Sequence, residues 1–317
     1  GSTWGFYTPP GTSWDKQLKP EHRPEKFSLV EIYSGHGNSE EFRDFVSVNI
    51  SPETETASCP AKSVDYTPAC VRLGELVEQR CLAEGTAPAV CSERAAGARE
   101  AAANMGIAYH LAIGGESVED WLDSGQCTDC FLPSFNYRPL ASIQYGLALS
   151  RFDETPDEPA RFNWGFIASS DNHRARPGTG YKEVARRLNT EAGGVISPRW
   201  RDIFLNETTP VDANYHQRTR EELQAIAGFQ LTEIERQSSF WQTGGLAAVH
   251  AEGRSRAEIW GALQRRETYA TSGPRILLWF DRVDTAGASA PMGATVETGQ
   301  AGRFVVRASG SFKQKEG

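Results

Sequence analysis

The sequence predicts an α/β fold with a disulfide-rich helical insertion and a C-terminal antiparallel element, and three observations lead there. An uncharged, mostly apolar run of strand length, Trp164-Gly-Phe-Ile-Ala-Ser-Ser170, ends abruptly in Asp171 and His173, followed by the basic, glycine-rich loop Arg174-Ala-Arg-Pro-Gly-Thr-Gly180. A second strand-like run, Phe27 to Ser34, also leads into a glycine-bounded histidine, His36. All six cysteines, at positions 59, 70, 81, 91, 127 and 130, fall in the stretch between these two runs.

The central run reads as an active-site strand. Residues i and i+2 of an extended chain point to one side, so the Asp171 carboxylate and the His173 imidazole are expected to face one pocket together. Carboxylate plus imidazole suits Zn, Mn or Fe, and in parallel α/β folds such groups gather where strands end. Without that context, Asp-Asn-His is an ordinary polar surface turn.

Composition narrows the function classes. The chain has 317 residues, a net charge of −8 and no block of Lys or Arg, which argues against a nucleic-acid or anionic-membrane surface. No apolar run approaches the ~18 residues a membrane span needs, and no signal peptide is visible. A hydrophobic content of 39% predicts a loop-rich chain. An even number of cysteines confined to one irregular segment predicts a disulfide-stapled insertion, and with it an oxidising, periplasmic or secreted location. The competing use of Cys127-Thr-Asp-Cys130, a zinc or redox motif, lacks the second cysteine pair of a zinc site and the helix that should open after a redox motif.

Taken in order, residues 1–26 are rich in proline and charge and read as an extended lead-in. Phe27 to Ser34 is a strand, and Asn38 or Ser39 can cap a short helix beginning at Glu40. Within the cysteine segment, about residues 45–135, Val71 to Glu84 and Ala87 to Ala112 are helical by composition, and His110 reads as a partly buried structural histidine. Pro139 to Phe152 is an amphipathic helix with proline near its first turn. Beyond the central strand, Tyr181 to Asn189 is a short basic helix and residues 191–218 are irregular. Gly244 to His250 is a third strand, and Ser255-Arg-Ala-Glu258 is a capping box that opens a helix through Arg266. Ile276 to Val283 and Arg303 to Ser309 alternate as an antiparallel pair should.

Three blocks carry a resemblance: Val30-Glu-Ile-Tyr-Ser-Gly-His-Gly-Asn-Ser-Glu40, Asn163 through His173, and Arg265-Arg-Glu-Thr-Tyr-Ala-Thr-Ser-Gly-Pro-Arg275. They are similar to the domain-of-unknown-function 3604 family, which resembles the polymerase and histidinol phosphatase (PHP) superfamily of metal-dependent phosphoesterases. The resemblance implies a distorted (β/α) barrel over residues 27–275 with a cluster of divalent metal ions at its strand ends, and a C-terminal β segment over 276–317. Asp171 and His173 match the superfamily's last metal-binding pair. Glu31, His36 and Glu40 match a family motif, with Glu31 and His36 as further candidate metal ligands and His36, Glu40 and Asp171 as candidate catalytic groups.

Arg174, Arg176 and Arg275 are candidates for holding a small anionic substrate, a phosphoester under this resemblance. The superfamily's opening His-x-His strand has no counterpart here. A full barrel takes about eight βα units and about 250 residues, against roughly three recognisable units in this chain. The expectation is therefore a C-terminal part of a metal-dependent hydrolase, needing the N-terminal part of the same protein and a poor enzyme alone. The competing expectation is a non-catalytic extracytoplasmic binding domain on a degenerate scaffold of the same kind.

Overall fold

The computed structural model describes residues 13–22, 26–34, 38, 40, 45–54, 56–128, 130–132, 139–152, 157, 159–170, 194–195, 197–205, 208–239 and 244–310. In chain order the elements are β1 (Leu29–Tyr33), β2 (Asn49–Ile50), β3 (Ala57–Ser58), α1 (Ala69–Ala83), α2 (Pro88–Met105), β4 (Ser124–Gly125), β5 (Phe131–Leu132), α3 (Ile143–Ala148), β6 (Gly165–Ala168), α4 (Pro198–Leu205), α5 (Arg220–Gln224), α6 (Gly228–Leu231), α7 (Glu233–Ser239), β7 (Leu246–Val249), α8 (Arg256–Gln264), β8 (Thr268–Thr271), β9 (Leu277–Asp284), β10 (Ser289–Ala290) and β11 (Gly302–Ser309). Helix and strand are mixed as expected. Among the described residues no barrel closes, and the strands form small separate sheets.

The insertion is the best-packed part. Helices α1 and α2 lie against each other and bury Leu73, Val77, Ala98 and Ala102 together with Trp121, Phe131 and, from α7, Ile234. Disulfides Cys59–Cys70, Cys81–Cys91 and Cys127–Cys130 staple it, so every cysteine is paired. Cys81–Cys91 joins the last turn of α1 to the first turn of α2. The helix expected over 87–112 stops at Met105, because Gly106 takes φ 58°, and the chain continues as a 3₁₀ helix, Gly106–Ala112.

Further differences from the sequence reading have local causes. Residues 191–218 are not wholly irregular: Pro198 opens the two-turn helix α4, its fixed φ suiting the first helical position. The helix expected over 139–152 is shortened to α3, since Ser142 is extended and its side chain accepts from the Tyr145 amide as an N-cap. The lead-in is not simply extended. Trp14–Lys16 and Pro20–His22 are 3₁₀ turns, Leu18 is buried beside Ile143, Phe162 and Trp164, and Trp14 packs against Trp164 with ring centroids 4.9 Å apart. The capping box Ser255/Glu258 opens α8 as read, and β9 pairs antiparallel with β11 over eight residue pairs.

Candidate functional site

The site is built where β1 and β6 end. The two strands pair in parallel, with Leu29 opposite Gly165, Val30 opposite Phe166 and Glu31 opposite Ile167, and a bulge before Tyr33 opposite Ala168. Alternation sends Val30, Ile32 and Phe166 into the aromatic cluster around Trp164, which leaves Glu31 on the other side. Burial of that apolar face fixes the register, because a one-residue slip would turn it to the solvent.

Three strands are tied together at Ser169, immediately after β6. Its N–H donates to the Tyr33 carbonyl at 3.1 Å, its carbonyl accepts from the Gly245 N–H at 2.7 Å, and its hydroxyl donates to a carboxylate oxygen of Glu31. The ends of β1 and β6 and the start of β7 are thereby joined two residues before Asp171. The approach of β7 requires Gly244 and Gly245: a β-carbon on Gly244 would lie 2.2 Å from Ser170 Cα, and one on Gly245 would lie 2.4 Å from Ala168 Cβ. Any side chain there would push β7 off the end of β6.

Asp171, His173, His36, Arg174 and Arg176 lie outside the described residues. The structure does describe the points from which their segments depart: Tyr33, one residue before Ser34, accepts from the Ser169 N–H, and Ser170 lies beside Gly244. Glu31 is exposed, with one carboxylate oxygen engaged by Ser169.

Glu40, a candidate acid or base, is already engaged. Its two carboxylate oxygens accept from the Ile143 N–H at 2.6 Å, the Gln144 N–H at 3.4 Å and the Gln144 side-chain amide at 3.0 Å, while its own N–H donates to Asn38 Oδ1. A carboxylate at the N-terminus of α3 satisfies amides that have no partner within the helix. Sequence reasoning missed this task because the two ends of the contact are 103 residues apart.

Arg275 is exposed in the turn that follows β8, which ends beside the start of β7, Thr271 opposite Leu246. His250 follows β7 and donates from Nε2 to the Leu278 carbonyl at 2.8 Å, which ties the C-terminal sheet to β7. His110 is buried, with Nε2 on the Gln230 carbonyl and Nδ1 facing the Glu116 carboxylate, a structural position as expected. Among the described residues no group of three or more His, Cys, Asp or Glu side chains is gathered as a metal site.

Three other ionisable groups have local structural partners. The Tyr109 hydroxyl donates to Glu235, and burial, followed by the nearby Glu235 carboxylate, raises its pKa well above the ordinary 10.0. Glu267 is held below the ordinary carboxylate range by its hydrogen bonds from Arg265. Glu258 is lowered in the same way by the Ser255 side chain and amide of the capping box.

No helix among the described residues is long and apolar enough to cross a membrane. The three disulfides are those of a protein from an oxidising environment. No curated protein and no solved structure matches the chain. The family described as Protein of unknown function (DUF3604) matches residues 142–310, which hold the last two of the three sequence blocks, the central strand and the C-terminal sheet. That match covers more than half of the chain, which therefore belongs to the DUF3604 family.

Proposed function

We propose that this protein is part of a metal-dependent hydrolase acting on a small phosphoester, with the site at the shared ends of β1 and β6. The observation that carries the proposal is the parallel register of the two strands, closed by Ser169. It sends the segments bearing His36 and Asp171 out from neighbouring points on one edge, as strand-end sites of α/β folds do.

The donor set fits a divalent ion. Asp171, His173 and His36 bring one carboxylate and two imidazoles, and Glu31 keeps a carboxylate on the exposed side of β1, oriented by the Ser169 hydroxyl. Glu40 does not fit, because α3 already uses both of its oxygens. A divalent ion, when bound, would supply Lewis acidity toward a phosphoryl oxygen and toward water. Asp171 and His173 would bind it, Glu31 would orient from β1, and Arg174, Arg176 and the amides of Gly178 to Gly180 would hold the anionic oxygens of the substrate. Arg275, on the turn after β8, is a further candidate for that task. The location we propose is periplasmic or secreted.

The competing reading, a non-catalytic extracytoplasmic binding domain, draws support from the helix-capping task of Glu40. One assay separates the two: divalent-metal-dependent hydrolysis of p-nitrophenyl phosphate by the full-length protein. Hydrolysis lost in Asp171→Asn and His173→Ala but kept in Glu40→Gln supports the hydrolase. Absence of metal-dependent turnover, or turnover that survives both substitutions, rejects it.

A further inference from the structure

A cavity of about 550 Å³ lies between the β6–β8 region and one face of the C-terminal sheet. Its size is that of a small-molecule site. The register explains the lining. Phe304 is opposite Arg282 and Val306 opposite Phe280, so Leu278, Phe280, Arg282, Phe304 and Val306 share a face. Phe280 and Phe304 stack with centroids 5.2 Å apart, and Trp164, Tyr269 and Met292 close the other walls.

The charged groups described in this apolar cavity are of one sign. Arg266 and Arg282 both line it, and no acidic residue does among the described residues, although the chain carries a net charge of −8. Among the described residues the two guanidiniums meet only neutral acceptors: Arg266 donates to the Gly293 carbonyl and the Thr295 hydroxyl, and Arg282 to the Gln300 carbonyl. Arg266 Nε and the hydroxyl of Thr268, a residue only 5% exposed, have no hydrogen-bond partner among the described residues. Thr268 and Arg266 pack closely against Gly165, where a β-carbon would lie 2.7 Å from Thr268 Oγ1 and 2.9 Å from Arg266 Cβ. Buried donors without acceptors, beside two cations without a carboxylate, call for an anionic head group. Stacked aromatic walls call for an apolar body.

We infer that this cavity binds a small amphipathic carboxylate, its apolar body against Phe280 and Phe304 and its head toward Arg266, Arg282 and Thr268. The site is separate from the strand-end site proposed above and does not depend on it.

Calorimetric titration with 2-naphthoate and its neutral counterpart 2-naphthylmethanol tests the assignment. The expected result is saturable 1:1 binding of naphthoate, at least tenfold weaker binding of the alcohol, and weaker naphthoate binding in Arg266→Gln, in Arg282→Gln and at high salt. Thr268→Val guards against variants that merely misfold. It removes a hydroxyl that the protein leaves unpaired, so thermal stability should hold or rise while naphthoate affinity falls. Equal affinity for acid and alcohol, no binding of either, or Thr268→Val and Arg282→Gln proteins that are folded and bind naphthoate as wild type would each overturn the assignment.

Discussion

The insertion and the C-terminal sheet use apolar side chains in opposite ways. In the insertion, Leu73, Val77 and Trp121 are 0% exposed, enclosed by two helices and cross-linked by disulfides. In the C-terminal sheet, Phe304 is 65% exposed and Val306 57%, on the face that lines the large cavity. Both segments are rich in apolar residues, and the difference lies in what covers them. In the insertion the two helices cover each other, with Ile234 of α7 added, whereas the sheet presents one face to a cavity bordered by β6, β8, Arg266 and the 290–296 loop. Exposed apolar area of this kind marks a place where something binds.

Truncating the same kind of side chain in each region should break the comparison open. Trp121→Ala removes a fully buried indole and is expected to cost about 3–5 kcal/mol, read as a lower denaturant midpoint. Phe304→Ala on the exposed face should cost less than about 1 kcal/mol in the same assay. Comparable losses would mean that the sheet face is packed after all.

Next in size is the staple between α1 and α2. Replacing Cys81 and Cys91 together by serine opens a cross-link spanning 10 residues and should cost about 2–4 kcal/mol, with unfolding measured without reductant. Thiol titration of the folded wild-type protein should find no free thiol, as every cysteine is paired.

A smaller effect separates Glu40 from the site residues. Glu40→Gln weakens the cap of α3 and should lower stability by about 1 kcal/mol, while leaving divalent-ion affinity within about twofold. Asp171→Asn should do the reverse. A Glu40→Gln protein that loses metal binding at unchanged stability would return Glu40 to the ligand set.

The two regions should also part in their pH response. Tyr109 sits in the packed core with its pKa raised, so above its ordinary value of 10.0 the unfolded chain releases a proton that the folded chain keeps. Stability is therefore level below that pH and falls as pH rises past it. Glu258 and Glu267 lie beside the C-terminal part with lowered pKa values, so their contribution is present above the ordinary 4.5 and is lost as pH falls through the folded values. Glu258 is exposed and Glu267 partly so, which keeps the acid effect small beside the alkaline one. Tyr109→Phe should flatten the alkaline limb of a stability-against-pH curve.

What could be read from the sequence was what is encoded locally. The Ser255/Glu258 capping box opens α8, and the alternation around Leu277 to Asp284 and Gly302 to Ser309 is an antiparallel pair, because neighbours in sequence dictate both. The pairing of β1 with β6 was legible only as two similar strand ends, and the hydrogen bond from Ser169 to Glu31 joins residues 138 apart. Strand β8 escaped notice because Thr268–Thr271 is too short to show a period, and its place depends on Thr268 fitting beside Gly165. Helices α5, α6 and α7 also went unread, although the Thr219/Glu222 capping box that opens α5 was visible in principle. Glu40 matched a family motif, and nothing near it in sequence announces a helix that begins at Ile143.

The central claim is that the chain segments leaving β1 and β6 share one metal site, and paramagnetic broadening tests it most directly. The protein has six histidines, so its imidazole proton resonances can be assigned one by one by substitution. Adding sub-stoichiometric Mn²⁺ should selectively broaden His36 and His173, spare His110 and His250, and lose its effect on His36 in Asp171→Asn. Broadening of His173 without His36, or equal broadening of all six, would contradict the shared site.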